Sequence, residues 1–173
     1  LLGLLDLLAQ RTVPYPFANL ANSGAVWALA AFALGTCGHR PAWKATASGV
    51  VLLLVAVESY YLSAVIIQRD STSTLWSAST RIWLILAVLI GAVFGAAGAS
   101  AHSPNLWVRA AAAALVGLAF LAEAVYTVRG SAHPFGFSDH IHQTAIIDAG
   151  LAVLLPLAIL TLHRRRQRPG PTI

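Results

Sequence analysis

Methionine is absent from all 173 residues, cysteine occurs once, and only 10% of positions are charged. Each shortage excludes something. The lone Cys37 rules out an internal disulfide and any cysteine metal cluster. Without an initiating Met, residues 1–9 are expected to be the surviving end of a longer first helix. No charged n-region or cleavage site supports a signal peptide there. Soluble domains carry about 25% charged residues, so this chain lacks the charge to solvate an ordinary surface. Gly-rich phosphate loops, a Gly-x-Ser-x-Gly elbow, His-Glu-x-x-His and Cys-x-x-Cys are all missing. The familiar chemistry of soluble enzymes therefore has no starting point.

What the chain has in quantity is apolar surface: 58% hydrophobic residues and a mean hydropathy of +0.74. A fold of this size cannot enclose so much apolar area, so lipid must be part of its solvent. Lys and Arg outnumber Asp and Glu, 11 to 6, but they sit in loops and tail and make no case for nucleic acid. Arg exceeds Lys ten to one and Ala is abundant, which points to a GC-rich bacterial genome.

A membrane crossing takes about 20 apolar residues. Five such segments, 20–37, 46–67, 82–99, 108–128 and 144–162, join the truncated first helix. The expected fold class is all-α: a polytopic transmembrane bundle of about six helices. Residues 1–162 form a single transmembrane domain and 163–173 a basic cytoplasmic tail. One side collects Arg40, Lys44, Arg109, Arg164, Arg165, Arg166 and Arg168; the other has Arg11, Arg69, Arg81 and Arg129 with Asp70 and Asp139. Positive charge favours the inside, so both termini are expected in the cytoplasm of a bacterial cell. Trp43, Trp76, Trp83 and Trp107 fall at span ends, as an interfacial belt requires.

The second and third spans resemble the fourth and fifth. Gly24-Ala25-Val26-Trp27 echoes Gly91-Ala92-Val93-Phe94, His39-x-Pro41 echoes His102-x-Pro104, and Glu58-x-x-Tyr61 echoes Glu123-x-x-Tyr126. The order is preserved, so a parallel internal repeat about the membrane normal is expected; chance likeness between Ala-rich helices is the competing account.

Carboxylates inside apolar helices cost about 2.5–3.5 kcal/mol at a helix centre and read as functional by default. At about 1.5 Å per residue, Glu58 lies about 20 Å and Glu123 about 22 Å from the inner ends of their helices. Tyr61 and Tyr126 follow one turn later on the same faces. Asp6, five residues before Arg11, falls at a similar height, and Asp148 enters the last span. Three level acids on alternate helices suggest a site open to the outside. Each has a plainer role: an interhelical hydrogen bond or an ion pair to Arg81 or Arg129 for the glutamates, solvation at a helix end for Asp6, a polar interhelical contact for Asp148.

Pro14 to Ser23 leads into the second span, where Asn22 or Ser23 can hydrogen-bond a solute; helix capping by Asn19 and amide contacts between helices are the alternative. The loop 129–142 holds Asp139, His140 and His142. It is expected to act as a lid, and no metal is assigned because spacing specifies no third ligand. Gly91 and Gly95 allow close helix packing, and the arginine-rich tail suits anionic lipid.

The run from Asn19 through Asn22-Ser23-Gly24-Ala25-Val26-Trp27 to Phe32, with Glu58-x-Tyr60-Tyr61, resembles a family of uncharacterised actinobacterial polytopic membrane proteins with no assigned activity. The layout is also similar to the substrate-binding S components of energy-coupling-factor vitamin transporters. That likeness is architectural and implies six helices, an outer ligand pocket and an ATPase-coupled membrane complex as partner.

The leading expectation is a substrate-binding transport subunit. It would hold a small cationic solute between Glu58, Glu123, Asp148 and Asn22 and the rings of Trp27, Tyr60, Tyr61 and Tyr126. No cofactor or catalytic residue is assigned, and an intramembrane enzyme lacks a visible nucleophile. The alternative is a non-enzymatic scaffold or assembly subunit whose acids lock helices or contact a partner.

Overall fold

A computed structural model describes residues 2–14, 16–38, 41–130 and 138–166, with side chains of 130, 138–141 and 162–166 left aside. The described residues contain no strand. They form α1 (Leu2–Thr12), α2 (Phe17–Ala21), α3 (Gly24–Thr36), α4 (Ala42–Gln68), a 3₁₀ turn (Thr72–Trp76), α5 (Ala78–Ser100), α6 (Leu106–Gly130) and α7 (Ser138–Arg166).

Four of the expected spans coincide, to within one residue at the end of the last, with helices long and apolar enough to cross a bilayer: Ala42–Gln68, Ala78–Ser100, Leu106–Arg129 and His142–Thr161. The chain is thus a multi-pass membrane protein. The six-helix count needs correction at the start of the chain. Expected span 20–37 is interrupted: Ser23 adopts an extended backbone (φ −82°, ψ 127°), which ends α2 and starts α3. The Ser23 hydroxyl caps the new helix by accepting from Val26 N–H at 3.2 Å. Helix α3 itself is only 13 residues long, about 20 Å at 1.5 Å per residue. α1 is likewise short, at 11 residues.

Helices α3, α4 and α5 pack through glycine. A Cβ on Gly49 would strike the Gly91 backbone, one on Gly95 the Ala45 carbonyl, and one on Gly98 the Phe32 and Gly35 backbone. The expected packing role of Gly91 and Gly95 is therefore what the structure shows. α1 lies on α4 with Gly3 against Ala56, Ser59 and Tyr60. α6 sits against α3 and α5, and α7 packs almost wholly on α6. Gly117 admits Ala152 and Pro156 of α7 there. Pro156 lies within a helix, and neighbouring helices make such interruptions tolerable in membranes.

Helix ends follow local chemistry. Arg69 takes the left-handed conformation (φ 59°) that stops α4. Ser77 caps α5 by accepting from Thr80 N–H at 3.1 Å, while the Thr80 hydroxyl donates to Thr74 O at 2.6 Å and ties down the 3₁₀ turn. At the opposite end a His102 ring nitrogen meets Thr36 O at 2.9 Å, and Arg109 donates to Ser103 O at 3.1 Å. Trp43, Trp76 and Trp107 are strongly exposed at helix ends, where an indole suits the lipid headgroup region.

Candidate functional site

The interruption between α2 and α3 lies about 20 Å from the His102 end of α3, at 1.5 Å per residue. Its depth matters, because backbone that leaves a helix at membrane level is tolerated only when buried in protein or lining a cavity. Here it does line one. Asn22, Ser23, Gly24 and Trp27 meet Tyr60 and Tyr61 of α4 and Trp83 of α5 around a cavity of about 50 Å³. That space suits a few waters or one small head group. Leu53, Val57, Ala87 and Ile90 close its floor. Tyr60 and Tyr61 stand edge to face at 5.4 Å, and the Tyr61 hydroxyl reaches Ser79 Oγ at 3.4 Å.

An acid stands behind these rings. Asp6 on α1 is 5% exposed; its Oδ1 accepts from Gln10 Nε2 at 3.0 Å, and its Oδ2 has no hydrogen-bond partner. Trp27 and Tyr60 both interact electrostatically with this carboxylate. The solvated helix-end reading of Asp6 is therefore corrected: packing of α1 on α4 buries it.

A second group of acids lies across the backbone of Gly24. Glu123 Oε2 accepts from Ala25 N–H at 3.0 Å and would stand 3.5 Å from a Cβ at Gly24. A carboxylate at a helix N-terminus satisfies a donor the helix cannot and complements its dipole. Asp148 on α7 is 0% exposed and interacts with Glu123 electrostatically. Neither Asp148 oxygen has a hydrogen-bond partner. One turn earlier Thr144 accepts from Asn19 Nδ2 of α2 at 3.0 Å. Asn19 thus ties α2 to α7 instead of capping a helix.

Of the residues picked from sequence, Asn22, Trp27, Tyr60 and Tyr61 share the cavity. Glu123 and Asp148 lie apart from it and act on each other electrostatically across α6 and α7. Glu58 and Tyr126 join neither group: both are exposed, Tyr126 at 77%. Glu58 lies in an outward stripe with Val51, Val55, Leu62 and Ile66. The residues paired by the apparent repeat, Glu58 with Glu123 and Tyr61 with Tyr126, therefore have unlike surroundings. Sequence reasoning missed Trp83 as a cavity residue, having placed it in the interfacial belt. It also missed Gln10, for which spacing from Asp6 by one helical turn was an available signal.

The expected loop lid 129–142 is shortened, since residues 129–130 belong to α6 and 138–142 to α7; its remainder 131–137, the pair His39 and Arg40, the side chains of Asp139 and His140, and residues 167–173 of the basic tail lie outside the described residues. Among the described residues no group of three His, Cys, Asp or Glu side chains is placed to hold a metal.

No curated protein matches the chain, and no solved structure does. A family model described as "Family of unknown function (DUF6518)" matches residues 1–172. With practically its whole length covered, the chain belongs to the DUF6518 family.

Proposed function

We propose that this membrane protein is a small solute-binding subunit of transport type, which holds the cationic head of a small solute in the aromatic cavity beside the α2–α3 interruption. The observation that carries the reading is the convergence, at one interrupted helix, of Trp27, Tyr60, Tyr61 and Trp83 with the buried carboxylate of Asp6 behind them. Aromatic faces attract a desolvated cation by about 2 kcal/mol, and a buried carboxylate adds charge complementarity. Interrupted helices recur at transporter binding sites for the same reason, since they free polar backbone at membrane depth. The orientation that accompanies this reading puts both termini in the cytoplasm and the cavity in the outer third of the bilayer. A coupling ATPase complex is the partner class that would energise it.

Trp27 and Trp83 line the cavity, so intrinsic fluorescence of the full chain in detergent reports on it. A series of small alkylammonium ions should give a saturable change that Trp27→Phe reduces and Asp6→Asn weakens at least tenfold in Kd. A flat response across the series, with the chain shown folded by circular dichroism, rejects the reading.

One observation favours the scaffold alternative: Glu58 sits in the middle of an exposed apolar stripe on α4. A carboxylate facing lipid is costly, and a partner helix would relieve it. On that reading Glu58→Gln leaves solute binding untouched and weakens a complex isolated from native membranes.

A further inference from the structure

A second space lies at the other end of α3, away from the aromatic cavity. Leu29, Phe32, Ala33 and Thr36 recur at the i, i+3, i+4, i+7 spacing of one helix face, and Leu155, Ala158 and Ile159 repeat its first steps on α7. The two faces border a groove of about 620 Å³, within the usual range of small-molecule pockets. It is open because α7 packs almost wholly on α6 while α3 rests on α4, α5 and α6, so that α3 and α7 hardly touch. Phe32 is buried at its base. From Leu29 to Thr36 the groove runs about 10 Å along α3.

Its two ends differ. The end near Leu29 and Leu155 is alkyl. At the other, Thr36 O meets a His102 ring nitrogen at 2.9 Å, and the exposed Cys37 joins the rim. Past Ile159, α7 continues to Arg166 and carries Arg164, Arg165 and Arg166 in its last turn, about 8–11 Å beyond the groove. Lys44 and Arg109 stand in the first turns of α4 and α6 at this same end. All six acids of the chain lie toward the opposite end, on α1, in the later parts of α4 and α6, just after α4, and in the first half of α7. The result is an alkyl slot whose mouth lies among positive charges.

We propose that the α3–α7 groove binds one anionic phospholipid, with an acyl chain between Leu29, Phe32 and Leu155 and the phosphate at the arginine-bearing last turn of α7. The occupant follows from the two ends taken together. Alkyl walls at membrane depth take up a hydrocarbon chain, and clustered basic residues beside a span draw anionic head groups within a Debye length. A free anion has no use for the alkyl walls. A partner helix is too large: at about 10–12 Å across it displaces about 800 Å³ or more over the same 10 Å, which exceeds the groove.

The lipid completes the packing that the two helices leave undone. Near the interruption, polar bonds hold α6 and α7 to α2 and α3, from Ala25 to Glu123 and from Asn19 to Thr144. At the far end the acyl chain bridges α3 to α7 instead. The site is separate from the aromatic cavity and stands or falls independently of what that cavity holds.

The test places the full chain in nanodiscs of phosphatidylcholine with or without phosphatidylglycerol. Native mass spectrometry reads the lipid that stays bound, and the rate of maleimide labelling reads the groove, since Cys37 is the only thiol in the chain. One retained phosphatidylglycerol per chain is expected, in preference to phosphatidylcholine, with labelling of Cys37 slowed when phosphatidylglycerol is present. Ala158→Phe adds bulk at an exposed wall position and should abolish both effects, whereas Val153→Phe, exposed on the same helix and outside the groove, should abolish neither. Replacing Arg164, Arg165 and Arg166 by Gln should weaken retention about tenfold. The labelling result on the unaltered chain needs no variant to fold. The proposal is overturned if no lipid is retained, if phosphatidylcholine is held equally well, if Ala158→Phe retains phosphatidylglycerol, or if inorganic phosphate alone protects Cys37. A dimer that Ala158→Phe dissociates would likewise overturn it and make the groove a contact between copies.

Discussion

Removing the carboxylate of Glu123 tests whether the interruption in the second apolar segment is held open from outside that segment. The bond in question runs from Ala25 N–H to Glu123 Oε2, 3.0 Å long and partly buried. A hydrogen bond to a charged group contributes about 1.5–3 kcal/mol, and a neutral one about 0.5–1.5 kcal/mol. The anion at the α3 N-terminus adds about 0.3–1 kcal/mol. Glu123→Ala loses both contributions and strands the Ala25 amide, while Ser23 still serves Val26. The expected net cost is therefore about 2–4 kcal/mol. Glu123→Gln keeps an acceptor and should cost about 1 kcal/mol. Unfolding by sodium dodecyl sulfate in mixed micelles, followed by far-ultraviolet circular dichroism, gives both values. Equal damage from Gln and Ala, or a cost below about 0.5 kcal/mol for Ala, within the ordinary range of surface changes, would refute the capping argument.

Other substitutions separate tight places from open ones. A Cβ at Gly91 would stand 2.7 Å from the Gly49 carbonyl oxygen and from Val50 Cα; both are backbone atoms, so Gly91→Ala should cost about 1–3 kcal/mol in the same assay. A Cβ at Gly150 meets nothing within 4 Å, so Gly150→Ala should be neutral or stabilising by up to about 1 kcal/mol. Thr80→Val deletes the hydroxyl donated to Thr74 O; a loss of about 1 kcal/mol is expected, with faster hydrogen exchange in the 3₁₀ turn. Glu58→Leu completes an apolar stripe and should leave stability in detergent within about 0.5 kcal/mol or raise it; a clear loss would mean that Glu58 serves the fold itself.

The long spans were legible because their apolar runs continue unbroken for 20 residues or more, and average hydropathy is enough to find them. The interruption at Asn22–Ser23 was not, because the same average runs smoothly across it. Only the backbone of Ser23 distinguishes a helix with a polar residue from two helices. The acids show a second limit. Glu58 and Glu123 stand in the same Glu-x-x-Tyr pattern, and depth placed them level. Depth is a property of one helix, however, while convergence depends on how each helix is rotated, and that is decided by where glycines let backbones touch. Rotation turns Glu58 outward and buries Asp148, on a helix outside the repeat, within electrostatic reach of Glu123. Asp6 escaped for a related reason: its burial comes from Gly3 seating α1 on α4, a contact that neither partner's composition announces.

The glycine contacts also divide the molecule mechanically. α3, α4 and α5 touch backbone to backbone at Gly35, Gly49, Gly91, Gly95 and Gly98, which leaves no side-chain cushion for one helix to slide on another. α6 and α7 are similarly joined where Gly117 meets Ala152. Two stiff leaves result, and two polar latches pin them near the interruption: Glu123 to the first turn of α3 and Thr144 to Asn19. A swing of the α6–α7 hairpin against that trio would have to break both latches, which sit where it would open or shut the broken segment.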